Sequence, residues 1–137
     1  MIAIRRCTKN DISMLARLNQ MLIEDENADN KMTLIQLEQR MSEFLENGYD
    51  AVLFHNDEEI AGYALINRNV EPFYLRQFFI CREYRTMGCG SKAFHALLSF
   101  LDVKEIDIDV YAWNPAAISF WKSLGFKERF YNMRLKE

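Results

Sequence analysis

Apolar side chains recur in the first third of the chain at the three- and four-residue spacing of amphipathic helices. Two such stretches, separated by a polar and acidic segment at residues 24–31, predict two helices joined by a loop. Thr8 or Asn10 can cap the first helix, and Asn47-Gly48 ends the second. The two apolar stripes are Ile12, Leu15, Leu18, Leu22 and Ile23, and then Leu34, Leu37, Met41, Phe44 and Leu45.

Strand-like segments surround these helices. Residues 2–6 predict a short first strand, and residues 51–55 and 60–66 predict two strands that a turn at 56–59 joins into a hairpin. A second turn then leads into residues 74–80, which are mostly apolar or aromatic and indicate a buried strand.

The C-terminal part continues the alternation of helix and strand. A helix is predicted at 88–101, and the apolar alternation at 106–110 predicts a strand. Pro115 is favourable at the first position of a helix, so the last helix is predicted at 115–124. Residues 126–136 predict a final strand.

The predicted order of elements is β-α-α-β-β-β-α-β-α-β. This order is typical of an α/β (α+β) domain with a mixed central sheet flanked by about four helices. The 137 residues suit a single domain, 1–137, and contain no repeat, low-complexity stretch or linker. Half of the residues are hydrophobic, which is enough for a core.

Charge and cysteine content argue against several classes of function. The net charge is −3 with both signs mixed along the chain, so no basic face indicates nucleic-acid binding. Cys7, Cys81 and Cys89 have no zinc-ligand spacing, and we expect free thiols and no metal site. The charged N-terminus does not fit a signal peptide, and no run approaches the ~18 apolar residues of a membrane span. We therefore expect a cytoplasmic protein without a membrane partner.

The most informative segment is the glycine-containing turn between the aromatic strand and the third predicted helix. It reads Arg85-Thr86-Met87-Gly88-Cys89-Gly90-Ser91. The first turn of a helix carries unpaired N–H groups and partial positive charge, and glycines let that backbone approach an anion closely. Arg82, Arg85 and Lys92 add cations nearby. The turn therefore favours phosphate binding over a purely structural role.

A dinucleotide-binding turn is a rival interpretation. Gly88-x-Gly90-x-x-Ala93 matches its glycine pattern, and Asp109 lies about where its acidic residue is wanted. However, residues 81–87 intervene between the strand and the glycines, whereas in that motif the glycines follow the strand almost directly. Roughly half of the chain precedes the turn, and too little follows it for a second nucleotide-binding half.

Two segments together resemble the GNAT acyltransferase superfamily. Arg85-x-x-Gly88-x-Gly90 resembles the Arg/Gln-x-x-Gly-x-Gly/Ala signature, whose backbone N–H groups hold the pyrophosphate of coenzyme A in that family. Asn114-x-x-Ala117-x-x-x-Trp121-x-x-x-Gly125-Phe126 resembles its Asn-x-x-Ala-x-x-x-Tyr-x-x-x-Gly-Phe segment. One helix and one strand separate the two, and the order of elements over the whole chain also agrees.

The resemblance implies acetyl-CoA as cofactor and a splayed sheet. Strand 74–80 would diverge from strand 106–110, and the pantetheine arm would pair with its free backbone groups as an added strand does. Asn114 would contact the arm or cap the last helix, and Lys122 is a candidate phosphate contact. The implied cofactor-binding residues are Phe78, Phe79, Ile80, Arg85, Thr86, Met87, Gly88, Cys89, Gly90, Ser91, Asn114, Trp121 and Lys122.

The reaction implied by the resemblance is direct attack of a primary amine on the thioester of acetyl-CoA in a ternary complex. An amine with a pKa near ~10 must lose a proton first. Tyr74 occupies the place of the Glu that serves as base in one branch of the family, so Glu71 or Asp109 could replace it. Trp121 occupies the place of the usual proton-donating Tyr, and Tyr111 or Tyr131 could be the acid. A non-catalytic acyl-CoA-binding sensor or interaction domain is the alternative.

The acceptor is a small-molecule or peptide amine that the sequence does not identify. The acidic loop containing Glu24, Asp25, Glu26 and Asp29 often borders the acceptor site in the resembling family, where negative charge would favour a cationic amine.

The predicted last strand also leads to an expectation about assembly. Phe126, Phe130, Met133 and Leu135 make it apolar, and an apolar strand with an open edge predicts a homodimer through this strand. A monomer with a charge-protected edge is the alternative, because charged residues are interspersed along it: Lys127, Glu128, Arg129, Arg134 and Lys136.

Overall fold

The computed structural model describes all 137 residues, Met1–Glu137. None of its helices combines the length and apolar character that crossing a bilayer would require. Short 3-10 turns at Lys9–Asp11 and Arg82–Met87 precede α1 and α3. The strands and helices in chain order are β1 (Ile2–Arg6), α1 (Ile12–Asp25), α2 (Leu34–Glu46), β2 (Tyr49–Asn56), β3 (Glu59–Asn67), β4 (Phe73–Ile80), α3 (Cys89–Leu101), β5 (Ile106–Ile108) and α4 (Pro115–Ser123).

The five strands form one sheet in the order β1-β2-β3-β4-β5. Neighbouring strands from β1 to β4 are antiparallel, and β4 and β5 are parallel. On one face, α3 packs on Phe54, Ile66 and Leu75. On the other face, α1 and α2 pack on Leu53 and Tyr63. This mixed sheet between helical layers confirms the predicted fold class.

Local sequence signals place the helix starts. Thr33 accepts a hydrogen bond from the N–H of Gln36, whose side chain accepts in return from the N–H of Thr33. This capping box fixes the start of α2. Thr8, one of the two predicted caps, accepts from Asn10 N–H and caps the 3-10 turn that leads into α1.

A bulge in β4 opens the sheet. Leu65 pairs with Gln77 and Ile66 pairs with Leu75, so Arg76 is an extra residue with no partner in β3. The pairing of β4 with β5 ends at Leu75–Ile108. Because bulges bend a strand, the part of β4 beyond Arg76 diverges from β5 and leaves the predicted V-shaped opening.

Two predictions near the C-terminus need correction. β5 is shorter than the predicted 106–110, because its partner strand bends away after Leu75. The predicted last strand at 126–136 is wrong: residues 125–137 have no regular secondary structure. The alternating pattern of a strand reports which face is apolar, but a strand forms only where another strand offers backbone groups to pair with.

Candidate active site

A cleft opens where β4 and β5 diverge. Helix α1 contributes to one wall and α4 to another, and the floor is β4 on both sides of its bulge. The lining residues are Leu22, Glu26, Leu75, Arg76, Gln77, Phe78, Ile108, Asp109 and Trp121. Phe78, Asp109 and Trp121, all expected from the sequence to be in or near a site, therefore share one cleft.

The edge of β4 beyond the bulge offers backbone groups to the cleft. The N–H of Cys81 donates to the carbonyl of Ala61 in β3 over 2.8 Å. Backbone groups alternate direction along an antiparallel ladder. The N–H and C=O groups of Phe78 and Ile80 therefore point away from β3, into the opening between β4 and β5, whereas those of Phe79 point toward β3. The carbonyl of Ile80 accepts from Arg85 Nε at 2.8 Å. The remaining free groups can pair with an extended ligand, as a strand edge does.

The glycine turn at the end of this edge is shaped for an anion. Gly88 has a φ of +74°, in the left-handed region that glycine adopts without strain, and a Cβ there would meet no atom within 4 Å. No side chain caps the N-terminus of α3. The first N–H groups of α3, from Cys89, Gly90 and Ser91, therefore keep their capacity to bind an anion.

Gly90 serves a different purpose from Gly88. A Cβ on Gly90 would lie 3.1 Å from Cε1 of Phe120 on α4. The second glycine therefore lets α4 approach the start of α3 closely. This close contact holds the glycine turn against α4.

The cations near the turn are directed elsewhere than the sequence predicted. Arg82 NH2 donates to Asp25 Oδ1 at 2.6 Å, and Arg85 NH2 donates to Asp25 Oδ2. Arg85 also lies over the ring of Phe79, 5.3 Å from its centroid. These side chains therefore fasten the end of α1 to the segment before the glycine turn. Lys92, exposed on α3, forms no ion pair.

Aromatic side chains form one wall of the cleft. The indole of Trp121 packs edge-on against Phe78, Phe94 and Phe126, with ring centroids 5.1, 5.5 and 5.2 Å apart. Phe120 stacks on Phe78 at 6.3 Å. Trp121 thus shapes the cleft by packing, in agreement with the chemistry of an indole N–H, which is a donor but not a useful acid.

Two carboxylates line the cleft. Burial raises the pKa of Glu26, and the neighbouring Asp25 adds to the rise. Asp109 accepts a hydrogen bond from the hydroxyl of Tyr74 at 3.0 Å. Burial, and then Asp109, raise the pKa of Tyr74, so this phenol keeps its proton at neutral pH. Glu26 and Asp109 can therefore attract a cation and, when ionised, accept its proton.

A buried polar network lies behind the cleft. Tyr63, fully buried, donates to Gln77 Oε1 at 2.8 Å. Nearby, Arg40 donates to the buried Asn19 at 2.9 Å. Gln77 is at once a member of this network and part of the cleft floor. The Arg40–Asn19 bond ties α2 to α1, and the Tyr63–Gln77 bond ties β3 to β4 at the cleft floor.

Several predicted residues lie outside the cleft lining. Glu71 is exposed in the turn before β4, Tyr131 is 82% exposed, and Tyr111 stacks on Trp113 with centroids 4.5 Å apart. Lys122 pairs with Glu128 at 2.9 Å. The Asn114 side chain caps α4 by accepting from the Ala117 N–H, which leaves its amide NH₂ free to donate.

Glu26 is the side chain that sequence reasoning assigned only to an acidic loop. Helix α1 extends to Asp25, further than predicted, and Glu26 caps its end. Its position four residues after Leu22 continues the apolar stripe of Leu15, Leu18 and Leu22. The position of this carboxylate in the helical register of a buried apolar stripe indicates that Glu26 faces the interior.

A dinucleotide-binding site does not fit this architecture. The 3-10 turn Arg82–Met87 separates β4 from the glycines. β4 and β5 are the only parallel pair of the sheet, so two parallel nucleotide-binding halves are absent.

A larger cavity, about 350 Å³, lies away from the cleft between α2 and the start of β2. It includes Cys7, whose pKa burial raises to about 12. That thiol is protonated at neutral pH and is therefore a poor nucleophile.

The chain has relatives among solved structures with the same fold. A possible acetyltransferase from Clostridium difficile 630 is 18% identical, with a TM-score of 0.79 over 100% of this chain and 97% of that chain. A predicted acetyltransferase with acetyl-CoA from Clostridium acetobutylicum is 15% identical, with a TM-score of 0.76 over 99% and 96%. An aminoglycoside N-acetyltransferase in complex with CoA is 15% identical, with a TM-score of 0.76 over 100% and 95%. At these identities the likeness concerns the fold.

Sequence comparison carries the assignment further. A comparison with curated protein sequences finds no match. The model of the acetyltransferase (GNAT) family matches residues 15–126, a range that contains the glycine turn and every residue that lines the cleft. The resemblance inferred from the two glycine segments is therefore confirmed, and the chain belongs to the acetyltransferase (GNAT) family.

Proposed function

We propose that this protein transfers the acetyl group of acetyl-CoA to a primary amine by direct attack in a ternary complex. The observation that carries the proposal is the continuity of the cleft: the free edge of β4 leads to the uncapped N-terminus of α3, and two carboxylates lie beside it. Membership of the acetyltransferase (GNAT) family confirms the expected cofactor class.

The cofactor is bound mainly by backbone in this proposal. The N–H groups of the turn, from Arg85 to Ser91, hold the pyrophosphate, and Phe78 and Ile80 pair with the pantetheine arm. Because Gly88 leaves open space where a Cβ would stand, a phosphate can approach the backbone there. The NH₂ of Asn114 donates to the arm, Trp121 covers it, and the exposed Lys122 reaches outer phosphates when it leaves Glu128.

The acceptor binds as a cation between Glu26 and Asp109. The two carboxylates attract an ammonium group, and the Tyr74 hydroxyl holds Asp109 in place by hydrogen bonding. Tyr111 and Trp113 form a stacked pair whose Trp113 Nε1 donates to the carbonyl of Glu26 at 3.1 Å. This aromatic pair borders the entrance and offers an apolar surface to the rest of the acceptor.

Glu26 is the general base. When bound, acetyl-CoA supplies the thioester carbonyl that an amine attacks. The raised pKa of Glu26 brings its carboxylate closer to the basicity that proton transfer needs near neutral pH. Asp109, which the sequence also indicated, lies in the same cleft, accepts a hydrogen bond from Tyr74 and orients the amine. A free backbone N–H of β4 polarises the carbonyl, as an oxyanion hole does.

Thiol release in the presence of amines tests the proposal. The purified chain is incubated with acetyl-CoA and a diverse panel of amines, free thiol is measured, and products are identified by mass spectrometry. We expect amine-dependent thiol release with at least one acceptor, and coenzyme A should raise the melting temperature by mass action. Absence of both the thermal shift and the thiol release would contradict the proposal.

A non-catalytic acyl-CoA-binding domain is the second candidate. The specific observation in its favour is that an indole, not a phenol, occupies the α4 position of the usual acid. In that case coenzyme A raises the melting temperature, yet no amine of the panel accelerates thiol release. The two results together separate a sensor from an enzyme.

A further inference from the structure

Two arginines at or near the floor of the cleft have no acidic partner. Arg76 is the extra residue of the β4 bulge and lines the cleft, and Arg40 is a partly buried residue of α2. Neither arginine forms an ion pair with a carboxylate of the chain. Arg40 NH2 donates to Asn19 Oδ1 at 2.9 Å, whereas its buried Nε has no hydrogen-bond partner. The two side chains therefore keep donors and positive charge available to a ligand.

Both guanidinium groups lie over the same aromatic ring. Arg40 is 5.5 Å and Arg76 is 4.8 Å from the centroid of Phe44. Burial lowers the pKa of Arg40, and the charge of Arg76 lowers it further. Two cations held close together in a partly buried place repel each other and lose hydration. An anion that binds beside them offsets both costs.

Other arginines of this chain that lie over aromatic rings are balanced by a carboxylate. Arg68 lies 4.9 Å from the centroid of Phe73 and pairs with Asp50 at 2.8 Å. Arg6 lies over another ring and pairs with the same carboxylate at 3.7 Å. Packing on a ring is therefore compatible with an acidic partner. At the cleft, the place of that partner is open to a ligand.

The cleft also carries uncompensated negative charge. Glu26 and Asp109 line it together with Arg76, and neither carboxylate forms an ion pair. Burial and then Asp109 raise the pKa of Tyr74, and the charge of Arg76 acts in the opposite direction. Tyr74 is therefore near charges of both signs. A ligand that carries a cation and an anion in one molecule matches this distribution of charge.

The proposed cofactor does not need the cations at the bulge. The glycine turn follows the C-terminal end of β4, whereas Arg76 lies near the middle of that strand. The acetyl and pantetheine parts of acetyl-CoA, which lie along β4 in the proposed function, carry no charge. The positive charge of Arg40 and Arg76 is therefore available to the acceptor.

We propose that the acceptor is a free amino acid whose ammonium group binds between Glu26 and Asp109 and whose carboxylate binds Arg76. This inference rests on the proposed acetyl transfer and names its substrate class. The planar guanidinium of Arg76 donates two hydrogen bonds to the carboxylate. Phe44 supports that guanidinium, and the charge of Arg40 adds to the attraction.

The reaction removes one charge of the amino acid and keeps the other. Glu26 takes one proton of the ammonium group, and the nitrogen forms a bond to the carbonyl carbon as the C–S bond breaks. A second ammonium proton passes to the departing sulfur, so the products are an N-acetyl amino acid and free coenzyme A. Because the product has no positive charge, it loses its attraction to Glu26 and Asp109, which favours its release.

Matched pairs of amino acids and their carboxamides test the role of the carboxylate. Isothermal titration calorimetry measures the Kd of each standard amino acid and its amide for the chain saturated with coenzyme A. A pH of about 6.5 keeps both amines protonated. We expect at least one amino acid to bind about tenfold more tightly than its amide, because a charge-assisted pair is lost in the amide.

The outcomes separate this inference from the proposed reaction. If no amino acid binds, or if each amide binds as tightly as its acid, the inference is overturned. Thiol release that occurs only with amines lacking a carboxylate would also overturn it, while the proposed acetyl transfer would stand. Absence of any thiol release and of any thermal shift by coenzyme A contradicts the proposed acetyl transfer itself.

Arg76→Gln tests where the carboxylate binds. The Kd of the amino acid should rise about tenfold, and that of its amide should stay within about twofold. The thermal shift by coenzyme A should remain, and its loss would assign this cation to the cofactor and overturn the inference. A merely structural role of Arg76 would weaken binding of the acid and the amide equally, and that result would overturn the inference as well.

Arg68→Gln is the matched control for this variant. It also removes an exposed arginine from above an aromatic ring and changes the net charge by the same amount, but Arg68 is paired with Asp50 and does not line the cleft. Both Kd values should stay within about twofold of those of the unaltered chain. Equal weakening of amino-acid binding in Arg68→Gln and Arg76→Gln would show a general effect of net charge and overturn the inference. Circular dichroism checks that both variants are folded.

Discussion

The proposed cofactor side and the proposed acceptor side of the cleft are built from different parts of the polypeptide. The cofactor side is backbone: the free edge of β4 and the first N–H groups of α3 after Gly88. The acceptor side is side chains from three elements: Glu26 at the end of α1, Tyr74 on β4 and Asp109 after β5. Backbone recognition depends on conformation, whereas side-chain recognition depends on which residues the fold brings together.

This difference explains which half of the site tolerates sequence change. A backbone site keeps its function as long as the glycines and the strand edge keep their geometry. A side-chain site changes its specificity or its base with one substitution. The same scaffold can therefore present one cofactor to many acceptors, and the predictions below separate the two halves.

The largest effect is expected from Gly88→Glu on the cofactor side. A carboxylate about 4 Å from a phosphate charge costs roughly 4 kcal/mol at the effective dielectric of a protein surface. The KM for acetyl-CoA should therefore rise on the order of 10³-fold, because 1.4 kcal/mol is about a tenfold change. The thermal shift by coenzyme A should disappear.

Gly125→Glu is the matched control for that variant. Gly125 also has a positive φ, +102°, and open space around a Cβ, but it lies at the end of α4. Both variants introduce a left-handed non-glycine residue, at a cost of about 1–2 kcal/mol in stability. Only Gly88→Glu should lose the shift. Loss of the thermal shift in both variants, or in neither, would contradict phosphate binding at the glycine turn.

The next effect in size is Glu26→Gln on the acceptor side. Without the base, kcat should fall by about 10²-fold near neutral pH, with little change in the KM for acetyl-CoA. High pH should partly restore the rate, because the free amine then exists without help. A rate–pH profile of both proteins from pH 6 to 10 is the measurement, and equal profiles would exclude Glu26 as base.

The stability of the same variant should move in the opposite direction. Burial raises the pKa of Glu26, so its charged form is disfavoured in the folded state. The stability that Glu26 contributes is fully present below its pKa in the unfolded state and is lost as pH rises through its pKa in the folded state. Glu26→Gln should therefore raise the melting temperature at pH 8, with the difference vanishing near pH 4. A carboxylate with a merely structural role would show a lower melting temperature instead.

The contrast between the two halves also determines which site residues could be predicted from the sequence alone. The turn with Gly88 and Gly90 was recognisable because helix starts and glycine spacing are local properties. The proposed base was not, because Glu26 meets β4 and β5 only through the packing of α1, whereas Glu71 is nearer to the aromatic strand in sequence. Arg85 was expected beside phosphate, since no local pattern reveals its pairing with Asp25.

A smaller effect is expected from Asp25→Asn, which loosens the connection between the halves. Burial favours a higher pKa for Asp25, but hydrogen bonds from Arg82 and Arg85 outweigh it and lower the pKa. The ion pairs are partly exposed, so their loss should cost about 1 kcal/mol, or roughly 3–5 °C in melting temperature for a chain of this size. The contribution is present above the unfolded pKa and is lost as pH falls through the folded pKa.

Asp11→Asn provides the matched control for this variant. Asp11, like Asp25, accepts guanidinium hydrogen bonds at both carboxylate oxygens, but from one arginine, Arg5, at 3.0 and 3.1 Å; its side chain is 15% exposed, as that of Asp25 is. Both variants should lose similar stability. Only Asp25→Asn should lower kcat, by a few-fold, because Glu26 adjoins it. Equal kcat in the two variants would show that the connection serves stability alone.

The smallest effect is expected from Glu71→Gln, paired with Asp109→Asn. Glu71 is exposed in the turn before β4 and is not among the residues that line the cleft. Asp109 lines the cleft and holds Tyr74. Glu71→Gln should keep kcat and KM within about twofold at every pH, since distant exposed groups contribute little through water.

Asp109→Asn should raise the KM for the amine by about tenfold, because an ammonium loses one neighbouring carboxylate. Initial rates over a matrix of amine concentration and pH distinguish the two. A kcat that falls in Glu71→Gln and recovers at high pH would place the base at the turn and leave Glu26 with a role in binding only.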